Sequence, residues 1–138
     1  MKFPKFRLKS AKLSDVRSVK RLFSRIRRIN RAQVEQMISE KKVLVLKDRK
    51  SKVRAAFAFS IFTITGYFTF MYISKLAVDP NMQGQGIGTF LLNQIRQKSL
   101  RIGAIAFFLY SADRARKFYL KNKLNNFWRI FWWKNDIA

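Results

Sequence analysis

The sequence has no cysteine and no histidine, and it has few acidic residues. Without cysteine there is no disulfide framework, no thiolate nucleophile and no thiolate metal site. Without histidine the commonest general base and the commonest zinc ligand are missing. The 7 Asp and Glu residues are scattered, and no two of them have the spacing of metal ligands. We therefore expect no metal site, and a general base has to come from another residue type or from water.

Basic residues are abundant by contrast. The chain has 30 Lys and Arg, which gives a formal net charge of +23. This excess attracts polyanions over long distances and favours contact with nucleic acid, a ribonucleoprotein or an anionic membrane surface. A compositional bias without a function explains the same charge equally well. Hydrophobic residues make up 49% of the 138 residues, so we predict a single folded domain over residues 1–138.

The longest uncharged stretch covers residues 55–74, between Arg54 and Lys75. Its length would suit a transmembrane helix. However, Gly66 and Tyr67 interrupt it, and β-branched and aromatic residues dominate it, which is typical of strands. We interpret it as a hairpin of two strands, residues 53–65 and 67–78. The N-terminus has no apolar signal segment, so we expect a cytoplasmic protein without a transmembrane segment.

A glycine-rich stretch follows this hairpin. The apolar strand ends at Val78, a turn with Pro80 follows, and then glycine occurs at alternate positions, Gly84, Gly86 and Gly88. An amphipathic helix to about residue 101 comes next. Glycine lets the backbone approach a ligand closely, and the start of a helix offers N–H groups without partners. The pattern predicts an anion site, most often for a phosphate or pyrophosphate.

Two common phosphate motifs do not fit this loop. The P-loop requires a lysine after its last glycine, and Thr89 stands there. The dinucleotide fingerprint requires a third glycine where Thr89 or Leu91 stands. The pattern that does fit is Val-x-Pro-x-x-Gln/Arg-Gly-x-Gly-Ile-Gly, filled by Val78, Pro80, Gln83, Gly84, Gly86, Ile87 and Gly88. It resembles the acetyl-CoA loop of the GCN5-related N-acetyltransferase (GNAT) family.

The resemblance implies a fold, a cofactor and an activity. The fold is of the α/β class, an acyl-CoA N-acyltransferase-like fold with a central mixed, mostly antiparallel sheet flanked by about four helices. The cofactor is acetyl-CoA as acyl donor, and the activity is direct transfer of the acetyl group to a primary amine of a protein or small molecule. Loop amides would bind the pyrophosphate, and the preceding strand edge would pair with the pantetheine arm. The expected cofactor-binding residues are Leu76, Ala77, Val78, Gln83, Gly84, Gln85, Gly86, Ile87, Gly88 and Thr89.

A second family motif is matched in part on the last helix. Ala115, Phe118 and Tyr119 match, whereas Ala112 replaces an asparagine. The resemblance makes Tyr119 the acid that protonates the leaving thiolate, and the alternative is an ordinary half-buried tyrosine. Many relatives have a catalytic glutamate at the position of Tyr72, and no carboxylate lies between residues 48 and 79. Deprotonation could run through water held at Tyr72, or the amine could arrive neutral.

The C-terminal tail, residues 127–134, mixes aromatic with basic residues. It fits a core strand or a dimer interface better than base stacking. We interpret it as one final strand without the second half of the family's closing hairpin, so that the partner in a homodimer could cover the edge. Another interpretation of the whole chain is a GNAT-fold binding module with weak catalysis, whose basic surface contacts nucleic acid or the ribosome.

Overall fold

The computed structural model describes residues 6–136. The elements in chain order are β1 (Arg7–Ser10), α1 (Val16–Phe23), α2 (Arg31–Ser39), β2 (Val43–Lys47), β3 (Val53–Ile64), β4 (Phe68–Val78), α3 (Ile87–Arg101), β5 (Ala106–Tyr110), α4 (Arg116–Lys121), β6 (Asn125–Phe127) and β7 (Ile130–Lys134). Three short 3-10 helices, Leu13–Asp15, Pro80–Met82 and Asp113–Ala115, precede α1, α3 and α4.

The strands form one mixed sheet in the order β1-β2-β3-β4-β5-β7-β6. The β1–β2, β2–β3, β5–β7 and β6–β7 pairs are antiparallel, whereas β4 and β5 are parallel. The helix α3 supplies the long connection that a parallel pair needs. A mixed sheet with four α-helices confirms the fold class that the sequence predicts.

The chain divides into two compact units, and the first consists of the residues up to Phe59 together with Lys75–Leu91. Its core contains the apolar sides of α1 and α2 and residues of β2 and β3. Val19, Phe23 and Val34 from these helices join Val45 and Ala56 from the strands in one buried cluster. The helices α1 and α2 are amphipathic at helical spacing, so their apolar stripes are buried and their basic residues lie outside.

The second unit consists of Ser60–Ser74 and Leu92–Ala138. One face of its sheet is buried, and it presents Met71, Ile73, Phe107, Leu109 and Phe131. The helix α3 contacts this face, where the Arg96 guanidinium lies 3.9 Å from the centre of the Trp133 ring. The elements β3, β4 and α3 each contribute residues to both units. The prediction of one domain over residues 1–138 stays a prediction.

Residues close together in the chain explain several helix boundaries. Asn30 caps α2 and forms a capping box with Gln33. Gly103, two residues after α3, has a φ of +76°, which is typical of a helix C-terminus. The helix α1 ends at Phe23, and the chain turns before it reaches the buried Ile29.

The interpretation of the tail as one strand is wrong. Residues 125–134 form a complete hairpin, in which Phe127 of β6 pairs with Ile130 of β7 across the turn Trp128–Arg129. The periodicity missed the turn because it contains neither Gly nor Pro, although Trp128 has a φ of +57°. The hairpin supplies the strand thought to be missing, so the argument for a partner covering the edge of a single final strand no longer holds.

Residues 55–74 belong to β3, β4 and the turn between them. The hairpin interpretation of this stretch is therefore confirmed. Within residues 6–136, no helix has the length and apolar character needed to cross a membrane.

Candidate functional site

The glycine-rich loop joins the end of β4 to the start of α3 in the first unit. Asp79 opens the 3-10 helix Pro80–Met82, and its Oδ1 accepts a hydrogen bond from the Asn81 N–H at 2.9 Å. Gly84 and Gly86 then have φ angles of +79° and +82°, which residues with a side chain rarely adopt. Both glycines are exposed. The backbone at these positions is therefore accessible to a ligand.

The helix α3 begins directly after this loop. The Phe90 N–H donates to the Gly86 carbonyl at 3.0 Å, which starts the regular helical pattern. Ile87 is buried and anchors the first turn, whereas Thr89 is exposed. The N–H groups of Ile87, Gly88 and Thr89 precede the first regular bond and form the positive end of the helix dipole. An anion is favoured at this position.

Two glutamines of the loop bond back to its own backbone. Gln83 Nε2 donates to the Val78 carbonyl at 3.3 Å, and Gln85 Nε2 donates to the Asn81 carbonyl at 3.3 Å. Both side chains are exposed. Gln83 thereby ties the loop to the end of β4, and Gln85 ties it to the 3-10 helix before it. Gly84 and Gly86 stay exposed.

Arg54, near the start of β3, binds two carboxylates that the sequence analysis did not connect. Its Nε donates to Asp48 Oδ2 at 2.9 Å, and its Nη1 donates to Asp79 Oδ2 at 3.2 Å. The Asp79 N–H also donates to the Arg54 carbonyl at 2.7 Å. Arg54 thereby holds the residue that precedes the glycine-rich loop. The only signal in the sequence is the Asp79-Pro80 pair, which is typical of a turn, and it does not identify a partner 25 positions away.

Both carboxylates bound to Arg54 have lowered pKa values. Burial raises the pKa of Asp79, but the Asn81 N–H and the Arg54 guanidinium lower it by more. Burial likewise raises the pKa of Asp48, and the Lys52 N–H and Arg54 outweigh it. The two aspartates are therefore ionised at neutral pH, and the Arg54 guanidinium is neutralised locally.

Most carboxylates of the chain are already engaged. Six of the 7 acidic residues form ion pairs with Lys or Arg: Asp15, Glu35, Glu40, Asp48, Asp79 and Asp113. The strand β4 itself contains no Asp or Glu. The described chain therefore has no carboxylate at the place where the resemblance implies a catalytic glutamate.

Tyr119 lies on α4 in the second unit, and only 7% of its surface is exposed. Its ring centre is 5.3 Å from that of Phe118 and 5.4 Å from that of Phe131. Burial raises the pKa of Tyr119 to about 12. The phenol therefore stays protonated throughout the neutral and mildly alkaline range, where it can donate a hydrogen bond but cannot act as a base.

Tyr72 lies in the middle of β4, is half-buried, and its ring centre is 5.0 Å from that of Phe108. Phe108 and Leu109 are consecutive in β5, so their side chains point to opposite faces. Phe131, which contacts Tyr119, is paired with Leu109. The two predicted catalytic tyrosines are therefore on opposite faces of the sheet and contact different aromatic partners.

Tyr72 belongs to an aromatic cluster that the sequence did not assign to the site. Phe62 stacks on Phe70 with ring centres 5.5 Å apart and meets Phe108 edge-on at 5.8 Å. Together with Tyr72 these rings form a continuous group across β3, β4 and β5. The spacing of Phe70 and Tyr72 by two residues indicates that both side chains lie on the same face of one strand. Which strands lie next to it, and which of their residues are paired with it, follows only from the fold.

Leu76, Ala77 and Val78 are the last three residues of β4. The register of β4 with β5 covers Phe70 to Ile73. The segment predicted to pair with pantetheine therefore follows the part of β4 that is paired with β5.

Comparison with known proteins identifies the family. Residues 39–123 match the model of the acetyltransferase (GNAT) domain, which is more than half of the chain. This segment includes the glycine-rich loop, Tyr72 and Tyr119. None of the curated proteins matches the chain by sequence.

Solved structures show the same fold at low sequence identity. The structure of Ard1 from Thermoplasma volcanium has a TM-score of 0.77 and 15% identity, and the match covers 94% of this chain and 97% of that chain. Arabidopsis thaliana Naa50, in complex with the bisubstrate analogue CoA-Ac-MVNAL, has a TM-score of 0.73 and 16% identity, with coverage of 95% and 99%.

A third structure, Rv2747 from Mycobacterium tuberculosis in complex with CoA and NLQ, has a TM-score of 0.72 and 20% identity, with coverage of 88% and 72%. The family match over the loop and both tyrosines agrees with the sheet order and with the glycine geometry. The chain belongs to the GNAT family of N-acetyltransferases.

Proposed function

We propose that the protein binds acetyl-CoA at the glycine-rich loop and transfers its acetyl group to a primary amine. The observation that carries this proposal is the geometry of Gly84 and Gly86. Two exposed glycines with positive φ lead directly into the N-terminus of the 15-residue helix α3. This arrangement fits the pyrophosphate of acetyl-CoA, because backbone N–H groups and the helix dipole both favour an anion there. The neighbours in complex with CoA or a CoA analogue support the same ligand.

The proposed cofactor-binding residues are those of the strand end, the loop and the first helical turn. Leu76, Ala77 and Val78 offer backbone groups to the amides of the pantetheine arm. The segment from Gln83 to Thr89 offers N–H groups to the pyrophosphate. Acetyl-CoA supplies the activated acetyl group as a thioester, and no metal is needed to polarise it.

We assign the two tyrosines to different reactants. Tyr119 donates a hydrogen bond to the sulfur as it becomes a thiolate. An ordinary thiol has a pKa of about 8.5, whereas the pKa of Tyr119 is about 12. Hydrogen-bond donation is therefore favoured over complete proton transfer, and the final proton comes from solvent. Tyr72, on the other face of the sheet, is assigned to the acceptor amine. Both faces can reach one thioester only beyond Ile73, where the pairing of β4 with β5 ends.

Isothermal titration with acetyl-CoA tests the proposal. Gly86→Glu adds both backbone strain and a carboxylate at the anion site, and together these should weaken binding by about a hundredfold or more. Gly66→Glu is the matched control, because Gly66 also has a positive φ of +75°, has open space at its Cβ position and lies in the β3–β4 turn. Wild type and control should bind alike. No binding of acetyl-CoA by the wild type would overturn the proposal.

A second function is supported by the exposed cations of α1 and the turn after it. Arg17, Arg21, Arg27 and Arg28 are all exposed, and the whole chain carries a net charge of +23. Contact with nucleic acid through these residues would be sequence-independent and would weaken steeply with salt. Fluorescence anisotropy with a labelled RNA at several salt concentrations measures this directly. Absence of binding at low salt would rule this function out.

A further inference from the structure

One face of the sheet in the second unit is accessible and strongly apolar. Side chains at alternate positions of β4, β5 and β7 share this face, since Tyr72 pairs with Phe108 and Phe108 pairs with Trp132. These side chains are half-buried or exposed, in contrast to the buried residues between them, and the largest are Phe70, Tyr72, Phe108, Tyr110, Ile130 and Trp132. Lys134, at the end of β7, is the one charged residue that these three strands place on this face.

The rings on this face are already ordered by one another. Phe70, Phe62, Phe108 and Tyr72, in this order, form successive contacts with ring centres 5.0 to 5.8 Å apart. Aromatic side chains packed in this way lose little further freedom when a ligand binds. The cluster is therefore a preformed apolar wall, and Tyr72 is part of it.

We propose that the acceptor is a primary amine carried by an uncharged aromatic or large apolar group, and that this group binds to the aromatic wall beside Tyr72. The inference rests on the proposed function, in which Tyr72 faces the acceptor. It goes further, because it names the chemical class of the acceptor and the surface that selects it.

The charge distribution argues for this class. No Lys, Arg, Asp or Glu occurs in residues 55–74 or in residues 104–112, and these two stretches include the rings of the cluster. An acceptor with a phosphate, a carboxylate or a second ammonium group would lose hydration there without gaining a partner. A single-stranded nucleic acid would need cations along its backbone as well as rings for its bases. The strands β4, β5 and β7 place only Lys134 on this face, and Arg129 beside Trp128 at its edge is ion-paired with Asp113. An uncharged apolar group gains by burial on the same surface.

The wall also accounts for the missing catalytic carboxylate. An apolar surface disfavours the ammonium form of a bound amine and lowers the pKa of that amine. The neutral amine can attack the thioester without an Asp or Glu to deprotonate it. Its nitrogen forms the C–N bond, the C–S bond breaks, water takes the amine proton, and the thiolate gains a proton from solvent. The ion pairing of six acidic residues is consistent with a site that uses no carboxylate base.

Acetylation assays with three acceptors test the inference on the full-length protein. We expect kcat/KM for 2-phenylethylamine to exceed that for ethanolamine and for spermidine by about tenfold or more, the range that apolar contacts give. Phe108→Ser, in the centre of the wall, should remove most of this preference while the Kd for acetyl-CoA stays unchanged. Phe62→Ser is the milder second variant, since Phe62 is 38% exposed. Tyr67→Ser is the matched control, because Tyr67 is 85% exposed in the β3–β4 turn and has no part in the ring cluster.

The outcomes separate the inference from the proposed function. Binding of acetyl-CoA together with equal or faster acetylation of ethanolamine or spermidine would overturn the inference and leave the function standing. Failure to bind acetyl-CoA would overturn both. A wild-type dimer in light scattering that Phe62→Ser converts to a monomer would assign the wall to a second copy of the chain and would also overturn the inference. A preference for 2-phenylethylamine that both wall variants reduce and Tyr67→Ser does not would support it.

Discussion

The base of the glycine-rich loop and the surroundings of Tyr119 are stabilised by different forces. Asp79 is held by Arg54, by the Asn81 N–H and by a backbone bond to β3, all of them polar contacts. Tyr119 is held by the rings of Phe118 and Phe131. The first arrangement fixes a backbone that stays exposed to its ligand. The second places one hydroxyl group within an apolar environment.

The difference follows from what each region has to do. A loop that binds an anion through N–H groups must keep its backbone accessible, so it cannot be covered by apolar side chains. A tyrosine that donates a hydrogen bond benefits from a low dielectric, where a hydrogen bond is electrostatically stronger. The pKa shifts are opposite for the same reason. Burial alone raises the pKa of Tyr119, whereas polar partners outweigh burial at Asp79 and lower its pKa.

Removing the hydroxyl of Tyr119 is the most severe test of this comparison. Tyr119→Phe keeps the ring contacts and should lower kcat by about 100-fold to 1000-fold, the range for loss of one hydrogen-bond donor to a developing anion. The Kd for acetyl-CoA, measured by titration, should not change. An unchanged kcat would show that Tyr119 is an ordinary core tyrosine. Tyr67→Phe is the control, because Tyr67 is 85% exposed in the β3–β4 turn.

Removing the ring that supports Tyr119 tests the apolar half of the comparison. Phe131 is fully buried, so Phe131→Ala should lower the free energy of unfolding by about 3–5 kcal/mol. Denaturation in urea measures the change. Phe127→Ala removes the same group at a position 74% exposed, and its effect should stay within about 0.5 kcal/mol. Similar losses for both variants would contradict the packing described for β6 and β7.

Replacing Arg54 tests the polar half. Arg54→Gln leaves Asp48 and Asp79 without their cation and should lower the free energy of unfolding by about 1–3 kcal/mol. Binding of acetyl-CoA should also weaken, because Asp79 then no longer fixes the start of the loop. Arg54→Lys keeps the charge but not the two-pronged geometry, and it should fall between wild type and Arg54→Gln. An Arg54→Gln variant with normal affinity would show that the loop keeps its conformation without this ion pair.

The loss of folding stability at acidic pH is a smaller effect than those of the substitutions above. Asp48 and Asp79 have folded-state pKa values below the ordinary value of 3.8. Their contribution to stability is therefore fully present above that value and is lost as the pH falls through the lower folded values. In unfolding experiments between about pH 5 and pH 2, the wild type should lose stability more steeply than Arg54→Gln. Parallel curves would mean that Arg54 does not lower these pKa values.

The raised pKa of Tyr119 predicts that stability also depends on pH in the alkaline range. The folded-state pKa of Tyr119 is raised from 10.0 to about 12, so its contribution to stability is fully present below pH 10 and declines as the pH rises towards the folded value. An ultraviolet titration of the phenols should show one tyrosine that ionises late, and Tyr119→Phe should remove this step. If Tyr119→Phe instead removed a tyrosine that ionises at about pH 10, Tyr119 would be exposed to solvent.

The sequence predicted the regions whose structure depends on local chemistry. The capping box of Asn30 and Gln33 and the extent of α3 follow from residues close together in the chain. The glycine-rich loop belongs to this group, because Gly84 and Gly86 adopt a backbone conformation that few other residues reach. The family resemblance came from the same stretch. The turn Trp128–Arg129 was missed because its residues carry no turn signal.

Tertiary structure alone decided which distant residues meet. Nothing in the chain before folding connects Arg54 with Asp79 or Tyr119 with Phe131, because side-chain contacts across strands depend on the order and register of the sheet. The register of β4, β5 and β7 also decided that Tyr72 and Tyr119 are on opposite faces and that the aromatic rings around Tyr72 form one wall. The sequence by itself determined the loop, the helix after it and the absence of a carboxylate on β4. The partners that give these features their chemistry were set by packing, which no local pattern encodes.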